Sequence, residues 1–195
     1  MKYVIKLIAC LLITINVNSQ VTTIMPLASY DYPNGAYLKD FNNELNSYVG
    51  RWEGISNNKK YIFEFIKFTQ RLNSYTGTPT GDYHYEDELV AKLKVIDLTT
   101  NQVLYDNLYV TNYEDYLLLG LNKHKGMFKF MFREKPDKCY LNGEFYLMNI
   151  NGQPNQLKYR DFTLKSYLDY NCTSYNDINQ IPFFLPKEDL ILTKI

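Results

Sequence analysis

The chain has 195 residues, with 21 basic side chains balanced by 21 acidic ones, so its formal charge at neutral pH is zero. With no basic run anywhere, that balance argues against nucleic acid or an anionic membrane as partner, because both are held by concentrated positive charge. Tyrosine, at 19 residues, is the one compositional excess.

Lys2 and Lys6 precede an apolar run from Leu7 to Ile15, and Val17 and Ser19 stand where a signal peptidase needs small residues. This is the layout of a secretory signal peptide over residues 1–19, with cleavage expected before Gln20. The run is too short to cross a bilayer and no longer one follows, so an integral membrane span is not expected. Leu7-Ile8-Ala9-Cys10 resembles a lipobox. Cleavage there would leave too short an apolar region, and ordinary cleavage is preferred to lipidation. Residues 20–195 are then expected to form a single exported domain, periplasmic or secreted, large enough to bury a core. Its two remaining cysteines, Cys139 and Cys172, enter a compartment that permits disulfides. A bridge would add about 3 kcal/mol by the chain-entropy argument. Two cysteines carry no spacing signature, so a bridge and two free thiols both stay open.

Residues 20–37, with Pro26, Pro33 and the Asn34-Gly35 turn pair, read as an extended lead-in. From Asp40, Phe41, Leu45 and Tyr48 recur at helical spacing and predict a short amphipathic helix that Asp40 caps and Gly50 ends. Gly50-Arg51-Trp52 then opens a first strand to Ile55, in which the only tryptophan has a structural role. A second strand spans Lys60 to Thr69, with a bulge near Lys67 where the alternation of Tyr61, Phe63 and Phe65 breaks. The Gly- and Pro-containing stretch 70–82 reads as a mobile loop.

The cleanest alternation follows from Tyr85 to Asp97, with Leu89, Ala91, Leu93 and Val95 inward, and a fourth strand is expected over Gln102 to Val110. Tyr116–Leu121 and Met127–Arg133 form a hairpin with Phe128, Phe130 and Phe132 inward. Turn signals at Pro136-Asp137, Asn142-Gly143 and Asn151-Gly152 leave open whether the next strand runs from Cys139 to Ile150 or starts at Glu144, and Glu144 to Asn149 is preferred. The next, Gln156 to Tyr167, needs a bulge near Arg160-Asp161 to reconcile Leu157 and Tyr159 with Phe162 and Leu164. Asp169 to Lys187 reads as a loop crossing the barrel end, and Asp189 to Lys194 as a last strand pairing with the Trp52 strand. Short alternating runs between turn residues predict an all-β fold, an antiparallel up-and-down β-barrel of about eight strands.

A helical turn, the Gly50-x-Trp52 strand entry and a closing C-terminal strand resemble the lipocalin or calycin architecture, with Arg160 as a weak candidate for the late arginine that packs over the tryptophan. More closely, Tyr37-Leu38-Lys39-Asp40, Tyr48-Val49-Gly50-Arg51-Trp52-Glu53-Gly54 and Tyr85-Glu86-Asp87 are similar to a family of small exported bacterial proteins known only as a domain of unknown function. That resemblance implies a secreted barrel and brings no activity with it.

Tyr83-His84-Tyr85-Glu86-Asp87 is the densest polar and aromatic cluster, and alternation puts Asp87 on the face of Leu89, at the barrel mouth. Asp87, Tyr85, His84 and Arg160 are therefore the candidate ligand-binding residues, while Gly50 and Trp52 are structural. An inward carboxylate needs a donor, and an internal partner serves as well as a ligand. His84 and His124 have no second ligand at metal spacing, so no metal or other cofactor is expected. No Gly-x-Ser-x-Gly and no base near either cysteine supports hydrolase chemistry. The reading is a non-enzymatic barrel holding a small apolar or amphipathic ligand inside, with 70–82 as a lid. The alternative is a filled barrel acting as an envelope or surface protein-interaction module, which the inward phenylalanines favour. An enzyme built on Asp87 and His84 comes third.

Overall fold

In the computed structural model the described residues are 22–74, 81–124, 126–133, 142–165 and 183–195. Alternation of apolar and polar side chains, most regular from Leu89 to Val95, forms extended chain because period two puts every second residue on one face. The strands are β1 (Ile24–Pro26), β2 (Tyr37–Lys39), β3 (Gly50–Ser56), β4 (Lys59–Ser74), β5 (Tyr83–Asp97), β6 (Val103–Asp106), β7 (Leu118–His124), β8 (Met127–Arg133), β9 (Asn142–Ile150), β10 (Gln153–Leu164) and β11 (Leu190–Lys194).

Strands β3, β4, β5, β7, β8, β9, β10 and β11 pair in sequence, all antiparallel. The ring is completed where Lys194 pairs with Trp52 between β11 and β3, while Val90 pairs with Leu119 between β5 and β7, past β6. This is the expected eight-stranded up-and-down barrel, in which closure removes the exposed edges. Three strands share the second edge of β5: β2 at Tyr85 and Glu86, β7 at Val90 and Ala91, and β6 from Lys94 to Ile96. Beyond the barrel, the outer halves of β4 and β5 continue with parallel β2 and β1 as a small apron.

Side chains fill the barrel. Trp52, Phe63, Phe130, Phe145 and Tyr159 are each fully buried. Phe130 and Phe145 stack at 5.2 Å between ring centroids, and Phe145 and Tyr159 at 4.6 Å. The void beside Leu93, Asn107, Phe132 and Leu185 measures about 10 Å³, at the limit of holding a single water. Both ends are plugged. At one, Leu45 and Tyr48 insert beneath the chain entering β3, with the Tyr48 ring 5.6 Å from Phe128. At the other, Leu185 is buried, Phe183 meets Phe132 and Phe162, and the Tyr159 hydroxyl donates to the Pro186 carbonyl at 2.8 Å.

Several expectations need correction. The helix from Asp40 is a single 3-10 turn, Glu44–Ser47, because Asn43 adopts a left-handed φ of 52° and interrupts any longer right-handed run. Phe41 is consequently swung out, 54% exposed, while Leu45 and Tyr48 stay buried. Gly50, at φ 122°, opens β3 instead of ending a helix, in backbone that an L side chain rarely adopts. The bulge in β4 lies between Phe68 and Arg71, with Gln70 at φ 53°, and the strand resumes to Ser74 where a loop was expected. Residues 75–80, the remainder of that expected lid, lie outside the described residues. The fourth strand is only Val103–Asp106, and the ninth runs three residues longer than expected, over Asn142–Ile150. The bulge at Arg160-Asp161 is present, with Asp161 at φ 55° where the pairing of β10 with β9 shifts register. Among the described residues no helix is long and apolar enough to cross a membrane.

Candidate functional site

At the barrel end plugged by Leu45 and Tyr48, three segments converge on one carboxylate. The β4–β5 hairpin carries Asp87 on the inward face, β2 brings Tyr37 beside it, and the bulge at Gln70 turns a backbone N–H toward it. Asp87 is 3% exposed. Its Oδ1 accepts from the Tyr37 hydroxyl at 2.5 Å and from the Gln70 amide at 3.1 Å, and its Oδ2 accepts from the Asp40 amide at 3.0 Å. Burial and the bond to Asp87 push the Tyr37 hydroxyl up to about 12, so it stays a donor at neutral pH.

Asp40 stands next in the chain of contacts. Its Oδ1 accepts from the Glu44 amide at 2.9 Å, and its Oδ2 from the Leu45 amide and the Lys67 ammonium, both at 3.0 Å. It thus caps the 3-10 turn. Burial works to raise the Asp40 carboxyl, but Lys67 and the two amides outweigh it and hold the group below the usual carboxylate range. The turn is also tied across the barrel rim: the Lys123 ammonium donates to Glu44 at 2.7 Å and the Asn149 amide to the Ser47 hydroxyl at 3.0 Å.

Beside this turn opens a cleft of about 660 Å³, within the usual range for small-molecule sites. Pro26, Leu27, Ala28 and the exposed ring of Phe41 supply its apolar surface, the buried Leu45, Tyr48 and Phe128 close its floor, and Lys39, Glu44 and Lys123 stand at its rim. Burial, with Glu44 nearby, pushes the Tyr48 hydroxyl up to about 12. The cleft brings together the lead-in, the 3-10 turn, the β7–β8 hairpin and the end of β9.

The rest of the predicted cluster is divided by the pleat. His84 and Glu86 point to the opposite face from Asp87, together with Glu88. There Arg71 lies 3.2 Å over the Tyr113 ring, Tyr113 donates to Glu88 at 2.5 Å, and Asn73 donates to Glu86. Burial raises both the Glu86 and Glu88 carboxyls, against the opposing effects of Arg71 and of their hydrogen-bond donors. His84 is buried, its ring 5.0 Å from that of Tyr32, and burial pushes its imidazole down. Tyr85 stays with Asp87, on the apron face it shares with Leu72.

Arg160 joins neither group. It lies on the outside of β10 and pairs with its neighbour Asp161, Nε to Oδ2 2.6 Å. The cation over Trp52 is Lys194, its Nζ 5.1 Å from the ring, because strand closure pairs those two residues directly. The indole Nε1 donates to the Tyr48 carbonyl at 2.7 Å, joining Trp52 to the end plug. Cys139 and Cys172 both lie outside the described residues. Among the described residues no group of three His, Cys, Asp or Glu side chains is placed to hold a metal. Sequence reasoning missed Asp40, Lys67 and Gln70 as partners in the Asp87 network; only the capping role of Asp40 was visible, since its amides lie close in sequence.

No curated protein and no solved structure matches the chain. The model of a family of unknown function, DUF6705, matches it over residues 1–195. With an eight-stranded antiparallel barrel and a match along its whole length, the chain belongs to this family of unknown function, DUF6705.

Proposed function

We propose that the protein is an exported, non-enzymatic binding module that holds a small apolar or amphipathic molecule in the end cleft, with the filled barrel as its rigid support. The observation that carries this reading is the contrast in space: about 10 Å³ between the interior side chains at the far plug, against about 660 Å³ in the cleft. A ligand inside the barrel would have to displace stacked rings such as Phe130 and Phe145, whereas the cleft needs no repacking. The leader-like residues 1–19 support export. A non-enzymatic role is supported by Asp87, whose oxygens already accept from Tyr37, Asp40 and Gln70, and by His84, which the pleat turns away from it. The likeness to lipocalins is one of strand number and strand entry, and no ligand is taken from it.

Native mass spectrometry on protein purified from its own source, compared with the denatured sample, tests this reading. The expected result is a co-purifying small molecule that is absent from an Ala28→Trp variant, in which an indole occupies the cleft wall. A molecule retained by that variant would place the site elsewhere. A second reading, a surface protein-interaction module, is favoured by one observation: Leu72, Tyr85, Tyr37 and Ile24 stand in register across the four apron strands, with Leu72 50% and Ile24 52% exposed. A bare polypeptide mass would favour it.

A further inference from the structure

The charges at the cleft rim are not balanced, and the imbalance names a ligand class. Four charged side chains line the cleft: Lys39, Asp40, Glu44 and Lys123. Asp40 is already neutralised from behind by Lys67 and by the amides of the 3-10 turn, and it is 7% exposed. Glu44 and Lys123 pair with each other across the rim, both nearly half exposed, in a solvent-screened contact that either partner can leave at little cost. Lys39 has no carboxylate partner among the described residues. Its ammonium lies 5.8 Å from the centre of the exposed ring of Phe41. With Asp40 neutralised by Lys67, two ammonium groups face the opening against the single carboxylate of Glu44, above a floor closed by Tyr48 and Phe128.

Resting on the cleft reading above, we infer that the ligand is an amphipathic anion: an aromatic or alkyl body seated on Leu27 above the floor closed by Tyr48 and Phe128, and a carboxylate or sulfonate head held by Lys39 and reached by Lys123. Lys39 confers the preference for charge, because an ammonium with no carboxylate partner among the described residues gains most from a fixed anion. Phe41, exposed because Asn43 ends the helical run before it forms, stands beside Lys39 to cover the body of the ligand.

The test uses two fluorescent probes of similar shape and opposite character at the head, anilinonaphthalene sulfonate and the uncharged N-phenylnaphthylamine. They are titrated into the full mature chain and into Lys39→Gln and Ala28→Trp, with thermal melting to show that each variant folds. The expected result is tighter binding of the sulfonate, weakened about tenfold by Lys39→Gln, the loss of one charge-assisted hydrogen bond. The uncharged probe should change by less than about twofold, since it makes no such bond, and both probes should be lost in Ala28→Trp. Equal binding of the two probes, unaffected by Lys39→Gln but lost in Ala28→Trp, overturns the anion inference and leaves the cleft reading standing. Binding of either probe that Ala28→Trp leaves unchanged, or no binding of either, overturns both.

Discussion

Replacing Asp87 with alanine removes the acceptor on which three segments of chain converge. The Asp40 and Gln70 amides and the Tyr37 hydroxyl each lose their partner at once, at a position that is 3% exposed. A buried donor left unsatisfied costs about 1–3 kcal/mol. Some of these groups can recover a water through the adjoining cleft, so the lower part of the range applies to each, and the sum comes to roughly 3–5 kcal/mol. At this chain length each kcal/mol moves the midpoint by about 2–4 °C, so the melting temperature should fall by roughly 10 °C. Asp87→Asn keeps the side-chain shape and one acceptor oxygen, and it should lose about half as much. The assay is thermal unfolding followed by far-ultraviolet circular dichroism, with urea denaturation giving the free energy. A loss below about 1 kcal/mol for Asp87→Ala would show that the carboxylate does not tie these segments together, and the structural reading of the cluster would fail.

Carboxylates contribute to the pH dependence of stability with opposite signs, as Asp40 and Glu88 illustrate. Asp40 is held below its ordinary range, so its contribution is present above the unfolded value and is lost as pH falls through the folded one, at the acid end of the carboxylate range. Glu88 is held above its ordinary range, so its contribution is present below the unfolded value and is lost as pH rises through the folded one. Melting curves of Glu88→Gln and the parent should therefore diverge as pH rises above the ordinary glutamate range, and parallel curves would refute the assignment. Gly54→Val should destabilise by about 3 kcal/mol or more in urea, because a Cβ there would lie 2.1 Å from Leu190 Cδ1 and 2.7 Å from the Ile191 carbonyl oxygen, at the seam that closes the barrel. Parent-like stability would mean that β11 is not seated as described. Phe145→Ala should cost about 3–5 kcal/mol and leave a void, since that ring stacks between Phe130 and Tyr159. A loss under about 1 kcal/mol would indicate a loosely filled interior.

What was legible in the sequence follows from how local each signal is. The run from Leu89 to Val95 declares its face residue by residue, and the change of phase between Tyr159 and Phe162 locates the Asp161 bulge without any partner strand. Closure of β11 on Trp52 was readable because an unpaired last strand has an obvious edge to cover. The helix misled, since Phe41, Leu45 and Tyr48 have helical spacing and nothing in their pattern reveals that Asn43 turns left-handed. The same holds for β4, where the bulge falls at Gln70 and not at Lys67, after a run apolar on both faces that carries no phase.

The site was less legible than the fold. Asp87 could be placed inward by counting, yet its donors come from Tyr37, Asp40 and Gln70, which strand pairing and chain reversal bring to it across up to 50 residues. The cleft is assembled from the lead-in, a 3-10 turn, a hairpin and the end of another strand, and none of these carries a motif. Arg160 was put forward from the lipocalin resemblance, as the arginine over the tryptophan, whereas its position on the outside of β10 gives it Asp161 as partner.

The most direct measurement of the central claim, a filled barrel with a ligand held outside it in the cleft beside the 3-10 turn, is a crystal structure of the protein with anilinonaphthalene sulfonate. The sulfonate is expected beside Lys39 and the rings of the probe over Tyr48 and Phe128, with Phe130 still stacked on Phe145 and Phe63 still tilted against it. Density for the probe between those three rings, inside the barrel, would contradict it.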